Sequence, residues 1–296
     1  MKDIKEIYDD IYCGKWEDLT KDVPSNSIDI IITSPPYNVN LGQNKHKKDS
    51  YDTYDDDMPY DEYLIWMTKL FTECNRMLKV GGRLCINIGD GANGKVPTHV
   101  DFTYILLNLE QEYENRLSYK FPLNDEEFLD FEMTTTIIWD KNQIGASTAW
   151  GSWKSPSKPS FPTQFEYIIV VTKGEGNHTS DNGGAPTVSS ENFIRNSIAL
   201  WTFTPETAMM KEYDHPAMFP ETLPRRLIDQ LTYSGDVVLD PFSGAGTTCA
   251  TAKKMGRHYI GLEMSEKYTD TSKSRLSSIP EIDIGSGSNL PKWMVK

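Results

Sequence analysis

The chain has 296 residues, of which 38% are hydrophobic, and a formal net charge of -13. This length suffices for a full hydrophobic core, and the negative charge argues against an extended basic surface, although a basic cleft can lie on an acidic body. No apolar run is long enough to span a membrane, and the charged start lacks the apolar segment of a signal peptide, so we expect a cytoplasmic protein without a membrane partner.

In chain order, the predicted elements alternate between strands and helices. Strands are predicted at residues 7–14, 28–32, 83–89, 134–141, 165–173, 236–240 and 258–263. Helices are predicted at residues 60–79, near 100–115, and at 221–233, 247–255 and 265–276. Gly81 and Gly82 are expected to end the first helix. The alternation predicts an α/β sandwich with a mainly parallel sheet.

The loop after the second strand carries an unusual run, Thr33-Ser34-Pro35-Pro36-Tyr37. Two prolines fix the backbone φ angle and therefore aim the carbonyl of Pro35 in a set direction. That carbonyl and Ser34 Oγ could accept both N–H groups of an exocyclic amino group, while Tyr37 stacks on a base turned out of its duplex. The alternative is a rigid strand-to-helix turn with an incidental tyrosine.

A second motif, residues 237–248, combines a strand, a tight glycine turn and the start of a helix. Gly244 and Gly246 would let the backbone approach a ligand, and the helix N-terminus offers free N–H groups. Glu263 ends the following strand, where a carboxylate can bind both hydroxyls of a ribose. The pattern indicates a nucleoside-containing cofactor; a turn that only reverses the chain is the alternative.

Together these motifs resemble a known family. TSPPYN at 33–38 and DPFSGAGTT at 240–248 are similar to the motifs of the amino-group DNA methyltransferases, which use S-adenosylmethionine. The catalytic motif comes first and the cofactor motif near the end, which resembles the circularly permuted beta class. The resemblance spans roughly residues 10–275 and implies a Rossmann-like, mainly parallel sheet of the seven-stranded methyltransferase type, with helices on both faces.

The resemblance also implies roles for individual residues. The catalytic residues would be Ser34, Pro35, Pro36 and Tyr37. The cofactor would be bound by Asp240, Phe242, Ser243, Gly244, Gly246, Thr247, Thr248, Glu263, Phe219, Pro220, Glu221, Asn38 and Trp16. One departure concerns the first strand, which in this class usually ends in Gly-Asp, with the acid contacting the adenine of the cofactor. Here Gly14-Lys15-Trp16 takes that place, so Trp16 or the backbone would replace the acid.

Two lysine-bearing segments are candidates for DNA contact: Lys45, Lys47 and Lys48, and the group Trp150, Trp153, Lys154 and Lys158. Lysines can neutralise phosphates, and aromatic residues among positive charges suit unstacked bases. A solvated charged loop and structural tryptophan packing are equally good explanations. We divide the single methyltransferase domain into a catalytic half (1–173), a target-recognition insert (174–200), a cofactor-binding half (201–278) and an irregular tail (279–296).

No pattern of metal ligands is present. Cys13, Cys74, Cys85 and Cys249 lack CxxC-type spacing, and the acidic stretch 52–62 lacks the glycine and spacing of a calcium loop. No Pro-Cys dipeptide occurs, which argues against C5-cytosine methylation because that chemistry needs a cysteine nucleophile. We therefore predict no metal, and no covalent intermediate.

The predicted function is methyl transfer from S-adenosylmethionine to N4 of cytosine in double-stranded DNA, with base flipping. Serine at position 34 resembles the N4-cytosine enzymes, but either amino group fits it chemically, so N6 of adenine is the alternative. A catalytically silent nucleic-acid or cofactor-binding module is a weaker one. The resemblance further implies a prokaryotic or phage restriction-modification setting, a cognate endonuclease that forms no stable complex, and a monomer or homodimer.

Overall fold

The computed structural model describes residues 3–38, 58–109, 129–143, 151–181, 183–205, 212–213, 215 and 218–280. Within these ranges eight strands form one sheet: β1 (Asp10–Cys13), β2 (Ile28–Thr33), β3 (Leu78–Ile88), β4 (Phe131–Asp140), β5 (Phe165–Lys173), β6 (Leu200–Thr202), β7 (Val237–Asp240) and β8 (His258–Glu263). The α-helices are α1 (Trp16–Leu19), α2 (Tyr60–Met77), α3 (Gly91–Gly94), α4 (Thr98–Leu106), α5 (Ser190–Asn196), α6 (Thr222–Leu231), α7 (Thr247–Lys254) and α8 (Glu266–Ser277).

The strand order in the sheet is β1-β8-β7-β2-β3-β5-β4-β6. All neighbouring strands are parallel except that β5 runs antiparallel to both β3 and β4. The predicted mainly parallel α/β sheet is therefore confirmed. The edge strand β6 was not predicted, because three residues are too few to show a periodic pattern.

Helices cover both faces of the sheet. On one face α2 and α4 contribute Met67, Phe71 and Phe102 to a hydrophobic cluster, and on the other α6 and α7 contribute Leu227 and Ala250 to a second one. The isoleucines of β2 alternate between the two: Ile31 belongs to the first cluster, Ile30 and Ile32 to the second. This burial on both sides explains why β2 is continuously apolar.

Several predicted boundaries were wrong: the helix predicted near 100–115 ends at Leu106, and the strand predicted at 134–141 begins at Phe131. The helix predicted at 60–79 ends at Met77, and the glycines expected to terminate it lie inside β3, which begins at Leu78. Gly81 has φ +79°, and a Cβ on it would lie 2.7 Å from the backbone of Asn177. These glycines let two backbone segments approach each other closely within the sheet region. In the sequence, glycines with this role look the same as glycines that cap the C-terminus of a helix.

The two predicted motifs meet at the centre of the sheet. β2 and β7 are neighbours, and the chain continues from β7 to β8 on one side and from β2 to β3 on the other. In α/β sheets, such a reversal of direction opens a crevice at the carboxyl ends of the strands, where ligands bind. The loop after Thr33 and the turn after Asp240 both begin at this crevice, although more than half of the chain separates them.

The first part of the predicted target-recognition insert lies at the amino ends of the strands, opposite the crevice. His178 Nε2 is 2.7 Å from Asp236 Oδ2, just before β7 begins, and Lys79 at the start of β3 forms an ion pair with Asp181 at 2.8 Å. The described residues 174–181 and 183–186 thus lie at the amino ends of the parallel strands. The role of 174–200 stays a prediction.

Candidate active site

The Ser-Pro-Pro-Tyr loop is held by a chain of hydrogen bonds that starts at Ser34. Ser34 Oγ donates to the Tyr37 hydroxyl at 3.2 Å, and that hydroxyl donates to Glu166 Oε2 at 3.0 Å. Asn87 Nδ2 donates to the Tyr37 hydroxyl at 2.7 Å and to Glu166 Oε2 at 2.8 Å. Lys141 Nζ closes the group with an ion pair to Glu166 Oε1 at 2.5 Å. Ser34 is half-buried, so its oxygen can still meet a ligand.

The prolines and the tyrosine ring are also fixed from outside the loop. Tyr63 of α2 donates its hydroxyl to the carbonyl of Pro36 at 2.7 Å. The ring of Tyr37 packs closely over Gly89, where an added Cβ would lie 3.1 Å from Cε2. Asn38 has φ +54°, and its Nδ2 donates to the carbonyl of Met58 at 2.7 Å. The loop therefore has one defined shape.

A buried carboxylate joins this loop to the glycine turn. Asp240 Oδ1 accepts from Thr33 Oγ1 at 2.9 Å, and Oδ2 accepts from Thr248 Oγ1 at 2.7 Å. Burial raises the pKa of Asp240 to about 6, an effect that the hydrogen bonds from Thr248, Phe242 and Thr33 only partly offset. The ends of β2 and β7 are thereby fixed relative to each other.

The glycine turn has the backbone that its sequence predicts. Gly244 and Gly246 have φ values of +50° and +75°, in the left-handed region, and Gly246 precedes the first residue of α7. Glu263 Oε2 accepts from the N–H of Gly244 at 2.8 Å, and Oε1 accepts from the N–H of Ser265 at 2.9 Å. Ser243 Oγ is buried without a hydrogen-bond partner among the described residues. An acidic cradle at a helix N-terminus with an unused buried hydroxyl fits a nucleoside cofactor.

An aromatic group lies beside the turn. Phe242 meets Trp66 edge-on with ring centroids 5.5 Å apart, and Trp66 lies 6.0 Å from Trp16. Trp66 Nε1 donates to Glu17 Oε1 at 2.7 Å. The indole N–H of Trp16 is buried and has no partner among the described residues. Phe242 and Trp16 thus both lie against Trp66, while Lys15 is exposed.

Glu221 has different partners from those we expected. Its carboxylate accepts from Lys254 Nζ at 2.6 Å and from Arg275 Nη2 at 2.7 Å, and Arg275 Nη1 donates to the carbonyl of Ala245 in the glycine turn at 3.1 Å. Burial opposes ionisation of Glu221, but the bonds from Lys254 and Arg275 outweigh it and lower its pKa. Glu221 thus joins α6 to α7 and α8 behind the turn, and its contact with the cofactor stays a prediction.

The other predicted cofactor residues lie near the same helices. Pro220 is buried, and its carbonyl accepts from the N–H of Leu223 in the first turn of α6 at 3.0 Å. Phe219 packs against the hydrophobic cluster on the α6 face. Thr247 Oγ1 accepts from Arg275 at 3.2 Å, so this hydroxyl also serves the support of the turn.

The DNA-contact candidates fall into two groups. Lys45, Lys47, Lys48 and Trp150 lie outside the described residues. Trp153 is 67% exposed, which argues against structural packing, and Lys154 Nζ lies 5.6 Å from the centre of its ring. Lys158 is exposed as well. Their loop connects β4 to the antiparallel β5 and is therefore at the carboxyl edge, on the side of Ser34.

Asn87, Lys141, Glu166 and Trp66 were not predicted as site residues. Asn87 and Glu166 interrupt apolar strands, CINI and FEYIIVV, and a polar residue in a buried strand could have been taken as a sign of function. Lys141 follows a strand end and looks like an ordinary surface lysine. Only the sheet order shows that β3, β5 and β4 bring these three side chains together.

One cluster in the described residues has metal-ligating side chains, but it lies at the amino ends of the strands, away from Ser34. Asp29, His178 and Asp236 are buried, and their ligand atoms lie within 4.8 Å of one another. Lys79 Nζ is 2.8 Å from Asp29 Oδ1 and supplies the positive charge there. This cluster takes no part in the site around Ser34. No helix in the described ranges is long and apolar enough to cross a membrane.

A Rossmann-like sheet with a rigid Ser-Pro-Pro-Tyr loop beside an acidic glycine turn is the arrangement expected of a transferase that uses a nucleoside cofactor. Comparison with known proteins gives the family: the sequence model of the N6/N4-type DNA methylases matches residues 28–274. The chain therefore belongs to the DNA methylase family.

Individual relatives agree with this assignment. The Type II methyltransferase M.MjaVI of Methanocaldococcus jannaschii is 34% identical over 67% of this chain and 87% of its own. The DNA adenine methyltransferase YhdJ of Escherichia coli is 26% identical over 86% of this chain and 78% of its own. The solved structure of TTHA0409 from Thermus thermophilus, complexed with S-adenosylmethionine, is 27% identical, with a TM-score of 0.65, and covers 90% of this chain and 93% of that one.

Proposed function

We propose that this protein transfers a methyl group from S-adenosylmethionine to N4 of cytosine at a specific site in double-stranded DNA. The observation that carries the proposal is the junction at Asp240, whose two oxygens bind Thr33, next to Ser34, and Thr248, in the helix after the glycine turn. The Ser-Pro-Pro-Tyr loop, which suits an amino group, and the glycine turn, which suits a nucleoside, are thus fixed next to each other. S-adenosylmethionine, when bound, supplies an activated methyl group.

The residues of the glycine turn would hold the cofactor. The helix N-terminus after Gly246 and the carboxylate of Glu263 suit the polar parts of a nucleoside, and Phe242 and Trp16 offer flat apolar surfaces. The indole N–H of Trp16 is an available donor, which supports the idea that Trp16 replaces the acid normally found at position 15.

The Ser-Pro-Pro-Tyr loop would hold the base. Ser34 Oγ and the carbonyl of Pro35 accept the two N–H groups of the amino nitrogen, which localises its lone pair for attack. Tyr63 already occupies the carbonyl of Pro36, so the Pro35 carbonyl is the one assigned to the base. The half-buried ring of Tyr37 would stack on the flipped base, and positioning carries the catalysis.

Adenine N6 is the second candidate target. The similarity to the DNA adenine methyltransferase YhdJ favours it, whereas serine at position 34 favours cytosine. Both bases present an amino group beside a ring nitrogen, so the same loop fits either. DNA would approach the carboxyl edge, where Trp153, Lys154 and Lys158 are exposed. We further propose a monomer or homodimer in a prokaryotic or phage restriction-modification system, without a stable endonuclease complex.

The test is expression in a host that lacks DNA methylation, followed by genomic sequencing that distinguishes N4-methylcytosine from N6-methyladenine. We expect N4-methylcytosine at one recognition sequence, and loss of the mark in the Ser34→Ala variant. N6-methyladenine would select the alternative target. Unmodified DNA, from a folded protein that binds S-adenosylmethionine in calorimetry, would contradict methyl transfer to DNA.

A further inference from the structure

The hydrogen bonds around Ser34 have a direction that is set by Glu166. A carboxylate in an ion pair accepts hydrogen bonds and donates none, whereas serine and tyrosine hydroxyls can do both. Glu166 is mostly buried, with 12% of its side chain exposed, and Lys141 lies 2.5 Å from Oε1. Lys141 is in turn 5.4 Å from the centre of the Trp139 ring. The acceptor end of the chain is thereby fixed in place.

The proton of Tyr37 is committed to this carboxylate. Its hydroxyl donates to Glu166 Oε2 and accepts from Asn87 Nδ2. A phenol has one proton, so toward Ser34 the oxygen of Tyr37 can only accept. In the hydrogen bond between the two hydroxyls, at 3.2 Å, Ser34 is therefore the donor. Asn87 Nδ2 also makes a long contact with Ser34 Oγ, at 3.5 Å, so one lone pair of Ser34 remains for a ligand.

Asn87 locks the same direction. Its amide Nδ2 donates to Tyr37 at 2.7 Å and to Glu166 at 2.8 Å, with a longer contact to Ser34 Oγ at 3.5 Å, while Oδ1 is buried with no partner among the described residues. The opposite amide orientation would place Oδ1 against the carboxylate of Glu166, two acceptors facing each other. The charge of Glu166 thus fixes the orientation of Asn87 as well.

We propose that Glu166 is a positioning residue that makes Ser34 Oγ an acceptor and thereby selects target bases with an exocyclic amino group over bases with a carbonyl at that position. The proposal rests on the proposed function, because it assumes that Ser34 faces the target base. An amino N–H satisfies the remaining lone pair of Ser34, whereas a carbonyl oxygen would oppose it. To donate to a carbonyl, Ser34 would have to give up its hydrogen bond to Tyr37, which cannot donate in return because its proton is held by Glu166.

The variant that tests this is Glu166→Gln. Glutamine has nearly the same shape, but its Nε2 can donate to Tyr37, so the chain can reverse and Ser34 can donate to a carbonyl. Tyr37→Phe is the second variant: it removes the hydroxyl between Ser34 and Glu166 and keeps the ring. Glu132→Gln is the matched control, because Glu132 is an exposed glutamate on the neighbouring strand β4.

The measurement compares binding of two duplexes that carry the recognition sequence found by sequencing. One has the natural target base and the other its keto analogue, uracil for cytosine or hypoxanthine for adenine. We expect the wild-type chain and Glu132→Gln to bind the amino base roughly tenfold or more tightly, the size of one misdirected hydrogen bond. In Glu166→Gln and Tyr37→Phe this ratio should fall to within about twofold of unity. The DNA is the same for every variant, so differences in base-pair stability cancel.

Three outcomes decide the matter. The melting temperature of Glu166→Gln shows whether this variant is folded. A folded Glu166→Gln that binds the two duplexes with the affinity ratio of the wild type would overturn the proposal. If that variant does not fold, Tyr37→Phe decides: retained discrimination there overturns the proposal as well. Single-turnover methylation by the wild-type chain distinguishes failure of the proposed function from failure of the role of Glu166. A wild type that transfers no methyl group contradicts the proposed function. An active wild type whose variants keep its discrimination contradicts only the role of Glu166.

Discussion

Gly244 shows how one residue can determine whether a cofactor site exists. Its φ of +50° disfavours any side chain, and a Cβ there would lie 2.7 Å from Nε2 of His215, which is buried and packs 4.5 Å from the ring of Tyr268. Its N–H also binds Glu263. A larger residue must therefore move either the histidine or the turn.

We expect Gly244→Val to abolish detectable binding of S-adenosylmethionine in calorimetry. Gly183→Val is the control, because Gly183 also has a left-handed φ, +67°, but has nothing within 4 Å of an added Cβ. Both variants carry the strain of a left-handed residue, roughly 1–2 kcal/mol, so only the steric difference separates them. Equal cofactor affinity in the two variants would place the binding site elsewhere.

Asp240 gives a prediction about pH. An acid whose pKa is raised on folding, here from 3.8 to about 6, keeps its proton in the native state at pH values where the unfolded chain has lost it. Stability from this group is therefore greatest below pH 4 and falls as the pH rises to about 6. Relative to Asp240→Asn, the free energy of unfolding of the wild type should fall by on the order of 3 kcal/mol across this pH window.

Urea unfolding of both chains at pH 4, 5, 6 and 7 measures this difference. Asp270→Asn, which changes an exposed carboxylate on α8, should alter stability at pH 7 by no more than about 0.5 kcal/mol. A difference between wild type and Asp240→Asn that stays constant with pH would show that burial does not hold the proton on Asp240.

At the scale of elements, helices α6, α7 and α8 are joined by Glu221, Lys254 and Arg275. Arg275 has only 4% of its side chain exposed, so its charge depends on Glu221 and on the carbonyl of Ala245. Glu221→Gln should therefore destabilise the protein by roughly 1–3 kcal/mol and weaken cofactor binding, because Arg275 also supports the glycine turn.

Chemical denaturation measures the change in stability, and calorimetry measures the change in cofactor affinity. The control is Glu191→Gln, which breaks an exposed pair with Arg195 within α5 and should cost about 0–1 kcal/mol with no change in cofactor affinity. If Glu221→Gln lost cofactor affinity without losing stability, Glu221 would contact the ligand directly, as the sequence had suggested.

The elements themselves were largely predictable from the sequence. β5 and β8 have the predicted bounds, and α2, α6, α7 and α8 differ from prediction by one or two residues at their ends. Strong apolar periodicity explains this success. The early start of β3 at Leu78 was missed because its glycines are required by a contact with Asn177, about a hundred residues away. No local pattern records such a contact.

At the scale of the whole molecule, the net charge of -13 limits how DNA can be bound. An acidic body repels the phosphate backbone, and the proposed function places DNA contact on a few local cations such as Lys154 and Lys158, which are both exposed. We expect log affinity to fall with log salt with a slope of about -2 to -4, which corresponds to roughly two to four phosphate contacts.

Lys154→Ala and Lys158→Ala should each make this slope shallower by about one unit. Lys273→Ala is the control, since Lys273 is exposed on α8 and pairs with Asp10, at the opposite end of the sheet, and should leave the slope unchanged. Fluorescence anisotropy over a range of salt concentrations measures all three. A much steeper slope in the wild type would reveal a basic cleft that the net charge hides.

The sequence by itself determined the parts of this protein that depend on local backbone demands. Buried strands need apolar runs, a left-handed turn needs Gly244 and Gly246, and a rigid loop needs Pro35 and Pro36. Parallel strands then bring both motifs to one edge. The tertiary structure alone decided the partners of side chains far apart in the chain: Glu166 with Tyr37, and Glu221 with Arg275. Such pairs depend on strand order, register and helix packing, which many weak contacts set together and no short stretch of sequence encodes.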